Sequence, residues 1–550
     1  MKYAALILAI AGCASSRNVP IARFANEPPV QIVNDRRDVP KQPEELVYDR
    51  YIKNFDGSFH RLITRKLELK RPERARGVNQ LDEVPDSTWF TNRIGAHDIP
   101  VEQITNMPGS IGTPEDYKPW TIESTKVGGL SIGFIIKDTR DEKWLLKFDR
   151  KGFPEAETAT QIIIGRLLWA IGYNVTDDYV VRVRKEDLIL APDAKIKDPN
   201  GESMPLDQRE VDARLATIDV AKDGTMRALV SRYLDGKPLG GHPAEGVRKD
   251  DPNDLIPHEL RRDLRGTHAI FEWLDHSDLH LANSLDMYVT DPADPKRHYV
   301  KHYFIDFGIA LGFGAAKNHN LRYGYEYQVD WKAMAQSLFT FGLVQRPWED
   351  RDQPHLRGVG VYDVEKYDPG TWKPLTPMYT PVRTADRIDD FWASKIMMKL
   401  TREHIKAAVD AAHLSDPRAA AWLVEALIAR QRKTAKYWFE RVNPLDEFKA
   451  TDRGLCFKDL SIIYSFAQAR ATHYRATFFD RNGKRLARGQ RFEPNTSGVT
   501  CSPLQLSAGH EGYTIVRLDT TRPGFAGSTY VHVARDERTL APRVIGIWRK

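Results

Sequence analysis

Cysteine is scarce in this chain: 550 residues carry three, Cys13, Cys456 and Cys501. So few cross-linkable residues exclude a disulfide-dense scaffold, and the folded body must be held by its own cores. Long apolar runs are also missing. Beyond the opening residues no stretch is apolar for long enough to cross a bilayer as a helix. No internal repeat or low-complexity tract is present, which removes solenoid and fibrous architectures. Charge of one sign is not in marked excess either: the formal net charge is +6, modest for this length, and no nucleic-acid partner is expected. One stretch is locally basic, with Arg61, Arg65, Lys66, Lys70, Arg71, Arg74 and Arg76 against Glu68 and Glu73. It reads as a solvated face or as a surface for anionic lipid. What is present is a globular composition, 41% hydrophobic and 28% charged. The length predicts two or three domains.

The first residues speak to destination. Lys2 is a one-residue positive region, and Tyr3 to Ala11 is an apolar run too short to span a membrane. It ends in Ile10-Ala11-Gly12-Cys13, which resembles a bacterial lipobox. The resemblance implies cleavage after Gly12 and a lipid on Cys13. Ala14 is next rather than Asp, so an anchor in the outer membrane facing the periplasm is implied. In such an oxidising compartment Cys456 and Cys501, close together near the C-terminus, are a disulfide candidate; the alternative is two partly buried thiols.

Composition divides the chain further. Residues 1–13 are signal and lipidated cysteine. Residues 14–42, dotted with Pro20, Pro28, Pro29 and Pro40, predict a flexible tether. Residues 43–119 predict a segment that wraps the domain C-terminal to it; its run DEVPDSTWF, Asp82 to Phe90, is rich in aromatics but suggests no chemistry. From Trp120 the pattern is three strands (Thr121–Ser124, Ile132–Lys137, Trp144–Phe148), a helix opened by Pro154 and stopped by Gly172, then strands at Val180–Val183 and Ala228–Leu234. Ile189 to Thr217 reads as an insertion with a turn at Pro199-Asn200-Gly201. A helix is predicted from about His258 to Leu274. Further helices are predicted at Trp331–Phe341, Ile388–Leu400, Arg402–Ala412 and Pro417–Val442. From about Thr451 strands alternate, with a hairpin at Asn482-Gly483. The expected domains are thus 120–240, 241–450 and a β-sandwich-like 451–550.

The chemistry sits in two runs: His276-Ser277-Asp278-Leu279-His280-Leu281-Ala282-Asn283, and Ile305-Asp306-Phe307-Gly308. The first resembles the catalytic loop HxDxxxxN of the protein-kinase-like superfamily and the second its DFG motif, in the manner of aminoglycoside, choline and HipA-like kinases. The resemblance covers about 225 residues. It implies an α+β, two-lobed fold with an antiparallel-sheet N-lobe and a helical C-lobe. It also implies ATP or another nucleoside triphosphate, Mg2+, and an acceptor that is a protein, a glycan or a small molecule.

Residue types support those roles. Magnesium takes hard oxygen ligands, which Asn283 and Asp306 provide. Asp278 can accept the proton of an accepting hydroxyl. Lys147, in Leu145-Leu146-Lys147-Phe148 on the third strand, matches the position of the family's phosphate-binding lysine, and the resemblance implies a carboxylate partner in Glu157 or Glu155, with Gln161 nearer the expected depth in the helix. Gly128 and Gly129, between two strands, would let backbone amides approach phosphate. Ser231 to Leu234 would meet adenine. Ser277 stands where arginine is usual, the glycines are adjacent rather than spaced, and 28 residues separate Asp278 from Asp306, which implies an extended hairpin between them.

Two other readings use the same residues. One is a catalytically silent binding or assembly protein that keeps the fold. The other is a metal-dependent hydrolase built on His276, Asp278 and His280.

Overall fold

The computed structural model describes residues 21–29, 34–47, 55–60, 73–127, 131–197, 202–314, 321–351, 354–451, 454–509 and 511–550. The run around Cys13, the glycines at 128 and 129 and the turn at 199–201 therefore lie outside the described residues. Two compact units are present. The larger comprises Val30–Asn79 and Glu83–Val442, the smaller Gln80–Asp82, Asn443–Lys550 and the described part of Met1–Pro29.

The larger unit is built on a seven-stranded sheet: β1 (Trp120–Thr125), β2 (Gly133–Lys137), β3 (Lys143–Phe148), β4 (Asp178–Val183), β5 (Leu188–Lys197), β6 (Ser203–Pro205) and β7 (Met226–Arg232). Their order is β4-β7-β3-β2-β1-β5-β6. Helix α1 (Ala156–Ile171) joins β3 to β4. The predicted insertion became two strands and helix α2 (Gln208–Leu215), with β5 running parallel to β1. Successive side chains of a strand point to opposite faces. Trp144, Leu146 and Phe148 enter one core with Trp120, Phe134, Val211 and Leu215. Lys147 therefore points to the other face.

The helical half comes next. The single helix expected over 258–274 is broken. A 3-10 turn at His258–Leu260 precedes α3 (Arg262–Arg265) and α4 (Thr267–Leu274). Gly266 separates the two; a Cβ there would lie 2.6 Å from the Trp392 ring, so the glycine is required by a neighbour 126 residues away. Then come β9 (Ser284–Asp291) and β10 (Asp294–Phe304), joined antiparallel with Ser284 opposite Phe304; a short β8 (Lys237–Pro238) pairs with β9. This is the hairpin that the 28-residue spacing implied. Helices α5 (Trp331–Phe339), α6 (Arg387–Met397), α7 (Arg402–Asp410) and α8 (Pro417–Phe439) complete the half. Sheet, crossing helix, hairpin and helices in this order make an α+β layout. Parts of the expected tether are packed: Asp35 accepts hydrogen bonds from Thr88, and Val39 is buried.

The smaller unit holds β11 (Leu445–Thr451), β12 (Gly454–Asp459) and β15 (Val499–Ser502) in one sheet. A second sheet has the order β14-β13-β16-β17-β18, from β13 (His473–Asp480), β14 (Gln490–Phe492), β16 (Thr514–Arg522), β17 (Phe525–Arg535) and β18 (Pro542–Arg549). The first strand of the unit, β11, starts six residues ahead of the expected 451, at Leu445. The turn at Asn482-Gly483 is present, with Gly483 at φ +83°, but the return strand forms only at β14. Cys456 and Cys501 face each other across β12 and β15 and are joined, S–S 2.05 Å. Residues Ala22 to Asn26 pack on this unit: Ala22 N–H donates to Arg481 O, and Arg23 lies 4.0 Å over the Trp548 ring.

Candidate functional site

Lys147 is buried with its ammonium among carboxylates. Its Nζ donates to Asp306 Oδ1 at 3.0 Å and lies 3.8 Å from Glu157 Oε1. Burial works against the Lys147 charge, but Asp306 and Glu157 outweigh it and hold the ammonium above the ordinary lysine range. Lys147 in turn holds Asp306 below the ordinary carboxylate range, against burial. Burial pushes the Glu157 carboxyl up in spite of Lys147. The Asp306 side chain remains 46% exposed, open to a ligand.

The helix partner is thereby decided. Glu155 is the N-cap residue of α1, at φ +69°, and turns away to Arg357 (Oε1 to Nε 2.9 Å) and Ser415. Glu157, two residues on, faces Lys147. Gln161 reaches the same region differently: its Oε1 accepts the Phe307 N–H at 2.5 Å and its Nε2 donates to Asp178 at 2.7 Å. It positions the Asp306-Phe307-Gly308 backbone rather than the lysine. Gly308 is required here, since a Cβ would lie 2.6 Å from Glu157 Cγ. Asp306 itself sits at φ +63°, a left-handed conformation costing about 1–3 kcal/mol for a non-glycine residue.

The hairpin explains how Asn283 and Asp306 meet. Because Ser284 pairs with Phe304, the residues just outside the pair are Asn283 and Ile305. Ile305 N–H donates to Asn283 O at 3.0 Å, and Asp306 is next in the chain. The Asn283 amide donates to Asp278 O at 2.6 Å, so the atom it offers to a ligand is its side-chain oxygen. Asp278 lies 3.3 Å from His280 Nε2. Burial alone would raise the Asp278 carboxyl, but His280 and, more weakly, His276 and Asn283 hold it below the ordinary range. A carboxylate and an amide oxygen are hard donors and fit magnesium or manganese.

The three-residue metal cluster is not met. His276 is buried, packs between Phe271 and Phe307, and bonds Ile309 O at 3.2 Å. Both His280 nitrogens are engaged, one by Asp278 and one by the Ala282 N–H. Among the described residues no group of three or more His, Cys, Asp or Glu side chains is placed to hold a metal.

Ser231 requires a correction. It lies inside β7, paired with Leu145 of β3 and Asp178 of β4, so its backbone belongs to the sheet and is not free for adenine. Tyr233 N–H is also taken, by Lys143 O. Leu234 is the first residue beyond these bonds, and its side chain packs against Met287, Val289 and Tyr299.

The DEVPDSTWF run braces the hairpin. Trp89 stacks on His302 of β10 with ring centroids 3.5 Å apart, and Arg261 lies 4.4 Å over its indole. His302 Nδ1 bonds Asp286 of β9 at 2.7 Å, and Arg248 donates to the other Asp286 oxygen at 3.2 Å. This buried group lies three residues beyond Asn283 and four before Asp306. Nothing in its sequence but the aromatics marked it.

No family model matches the chain, and no curated protein matches it. Among solved structures it is similar to the Golgi casein kinase with Mn/ADP bound: 12% identity, TM-score 0.31, covering 62% of this chain and 75% of that one. Another Golgi casein kinase structure is similar at 12% identity and TM-score 0.29, covering 75% and 94%. The Rio2 kinase–ADP/Mg2+–phosphoaspartate complex from Chaetomium thermophilum is similar at 15% identity and TM-score 0.21, covering 56% and 70%. Superpositions this loose leave the site to be argued from its own geometry.

Proposed function

We propose that the chain is a kinase-like phosphotransferase using ATP or another nucleoside triphosphate with magnesium. The observation that carries the reading is the contact of Lys147 with both Asp306 and Glu157, brought together from a strand, a loop and a helix. Lys147 would bind phosphate oxygens, with Glu157 orienting its ammonium. Asp306 and Asn283 would hold the metal, which would supply charge stabilisation for the phosphate in transfer. Asp278, ionised at neutral pH, would orient the acceptor hydroxyl and take its proton as the new P–O bond forms and the nucleoside diphosphate leaves. The acceptor is a protein, a glycan or a small molecule. Full-length chain supplied with γ-labelled ATP, magnesium and pools of each acceptor class tests this. Label should move to one class and fail to move with Asp278→Asn; nucleotide bound but never turned over would favour a silent binding protein.

We also infer a tether to the cell envelope through lipid on Cys13, at an outer membrane facing the periplasm. The Ile10-Ala11-Gly12-Cys13 run supports it. Growth with a labelled fatty acid should label the wild type and spare Cys13→Ser; equal labelling of the two would contradict it.

A further inference from the structure

A second lysine stands beside Lys147. Lys126 ends the first strand's path, one residue beyond β1, and its N–H donates to Gly133 O at 2.9 Å. Gly133 is the register partner of Lys147 across β2 and β3. The Lys126 stem lies along that glycine: a Cβ on Gly133 would come within 3.2 Å of Lys126 Cδ and 3.3 Å of its Cβ. Three adjacent strand paths thus carry lysine, glycine, lysine abreast. The Lys126 ammonium is half-buried, and its hydrogen-bond partners among the described residues are both neutral oxygens of Ser131, Oγ at 2.7 Å and O at 3.3 Å. Around it lie the charges of Lys147, Glu157, Asp306 and Arg150.

A half-buried ammonium on neutral partners, next to a second ammonium, is unfavourable until an anion arrives. Lys147 has two carboxylates; among the described residues Lys126 has none as a direct partner. We infer that Lys126 is a second phosphate ligand, acting with Lys147 to grip a polyphosphate chain at the mouth of the site. The inference deepens the proposed function and, for the nucleoside part of the ligand, rests on it. Burial and Lys147 push Lys126 below the ordinary lysine range, which agrees with a cation held for an absent anion. Ser131 is then a placeholder, releasing Lys126 when phosphate binds.

Calorimetry on the full chain with ATP plus magnesium, adenosine and inorganic tripolyphosphate tests the inference. Lys126→Ala should weaken ATP and tripolyphosphate about tenfold or more while leaving adenosine unchanged. Lys126→Arg should keep most of the affinity, and Ser131→Ala should leave it equal or higher. ATP binding unaltered in Lys126→Ala, or adenosine lost in equal measure, would overturn the inference and leave the nucleotide reading standing. Lys126-dependent binding of tripolyphosphate with no binding of adenosine or ATP would support the lysine pair and contradict the nucleotide reading. No binding of any of the three by the wild type would contradict both.

Discussion

The two units of this chain hold their structures by different means. In the larger, the region around β3, α1 and the β9–β10 hairpin buries Lys147 and sets it against Asp306 and Glu157, with Asp306 in a left-handed backbone conformation. In the smaller, two antiparallel sheets close over Phe457, Tyr474, Phe478, Leu518 and Val531, and a disulfide ties β12 to β15. Buried ion pairs and left-handed residues occur in both units, Arg522–Asp459 and Glu447 among them in the smaller; in the larger the two coincide at Asp306, which is paired with Lys147. Strain and buried charge persist where surrounding contacts over-determine them, and they cluster at functional sites. That coincidence makes the Asp306 region of the larger unit the place to test for chemistry.

Substitutions in the site should break the contrast most severely. Asp278→Asn should slow transfer by about 10²–10⁴-fold while leaving nucleotide affinity nearly intact, because a base acts only during chemistry. Rapid-mix turnover beside equilibrium binding separates the two effects. Lys147→Ala should weaken nucleotide binding about 10- to 100-fold and slow transfer as well, since it removes a charge-assisted contact and leaves Glu157 facing Asp306. Titration of the variant with ATP and magnesium measures it.

The bracing of the hairpin comes next. Trp89→Ala should destabilise the larger unit by about 3–5 kcal/mol, because its indole stacks on His302 and under Arg261. Denaturant unfolding together with hydrogen exchange in β9 and β10 would show it, and slow exchange there in the variant would contradict the bracing role. In the smaller unit, Cys456→Ser with Cys501→Ser should cost about 2–4 kcal/mol by freeing a loop of 45 residues, with nucleotide binding unchanged.

Two histidines, one half-buried and one buried, sharpen the comparison with smaller effects. His268, in the larger unit, is paired with Asp390 at 3.1 Å. Burial opposes its charge, but Asp390 raises it to about 9. Its contribution is complete below about pH 6.5 and is lost as pH rises towards 9. His532, in the smaller unit, is lowered to about 3 by burial. It must stay neutral, so its contribution is present above about pH 6.5 and is lost as pH falls through the acid range. His268→Gln should flatten the alkaline side of the stability profile and His532→Gln the acid side, each by about 1–3 kcal/mol. Unfolding at pH 5, 7 and 9 compares them.

Much of the site was legible because its chemistry is specific. A carboxylate and an amide on separate loops, and a lysine within an apolar strand, each point to one task; Lys147 and Asp306 meet although 159 residues separate them. Other features were hidden for physical reasons. Helical periodicity does not fix where a helix begins, so Glu155, Glu157 and Gln161 could not be ranked until Glu155 was seen as the cap. Ser231 was expected within a strand, but the pattern could not show that this strand is flanked on both sides, by β3 and by β4, which leaves its backbone to the sheet. The need for glycine at 266 comes from Trp392, a distant contact that no local pattern records. The packed Ala22–Asn26 segment is short and proline-flanked, and its partners Arg481 and Trp548 lie at the other end of the chain.

The central claim is that Lys147, Glu157, Asn283 and Asp306 form one nucleotide and magnesium site. Its most direct test is calorimetric titration of ATP into full-length wild type and Asp306→Asn, each with and without magnesium. The account predicts binding by the wild type that magnesium strengthens, and loss of that strengthening in Asp306→Asn with the fold intact. Wild type that binds no nucleotide, or Asp306→Asn that responds to magnesium as the wild type does, would contradict it.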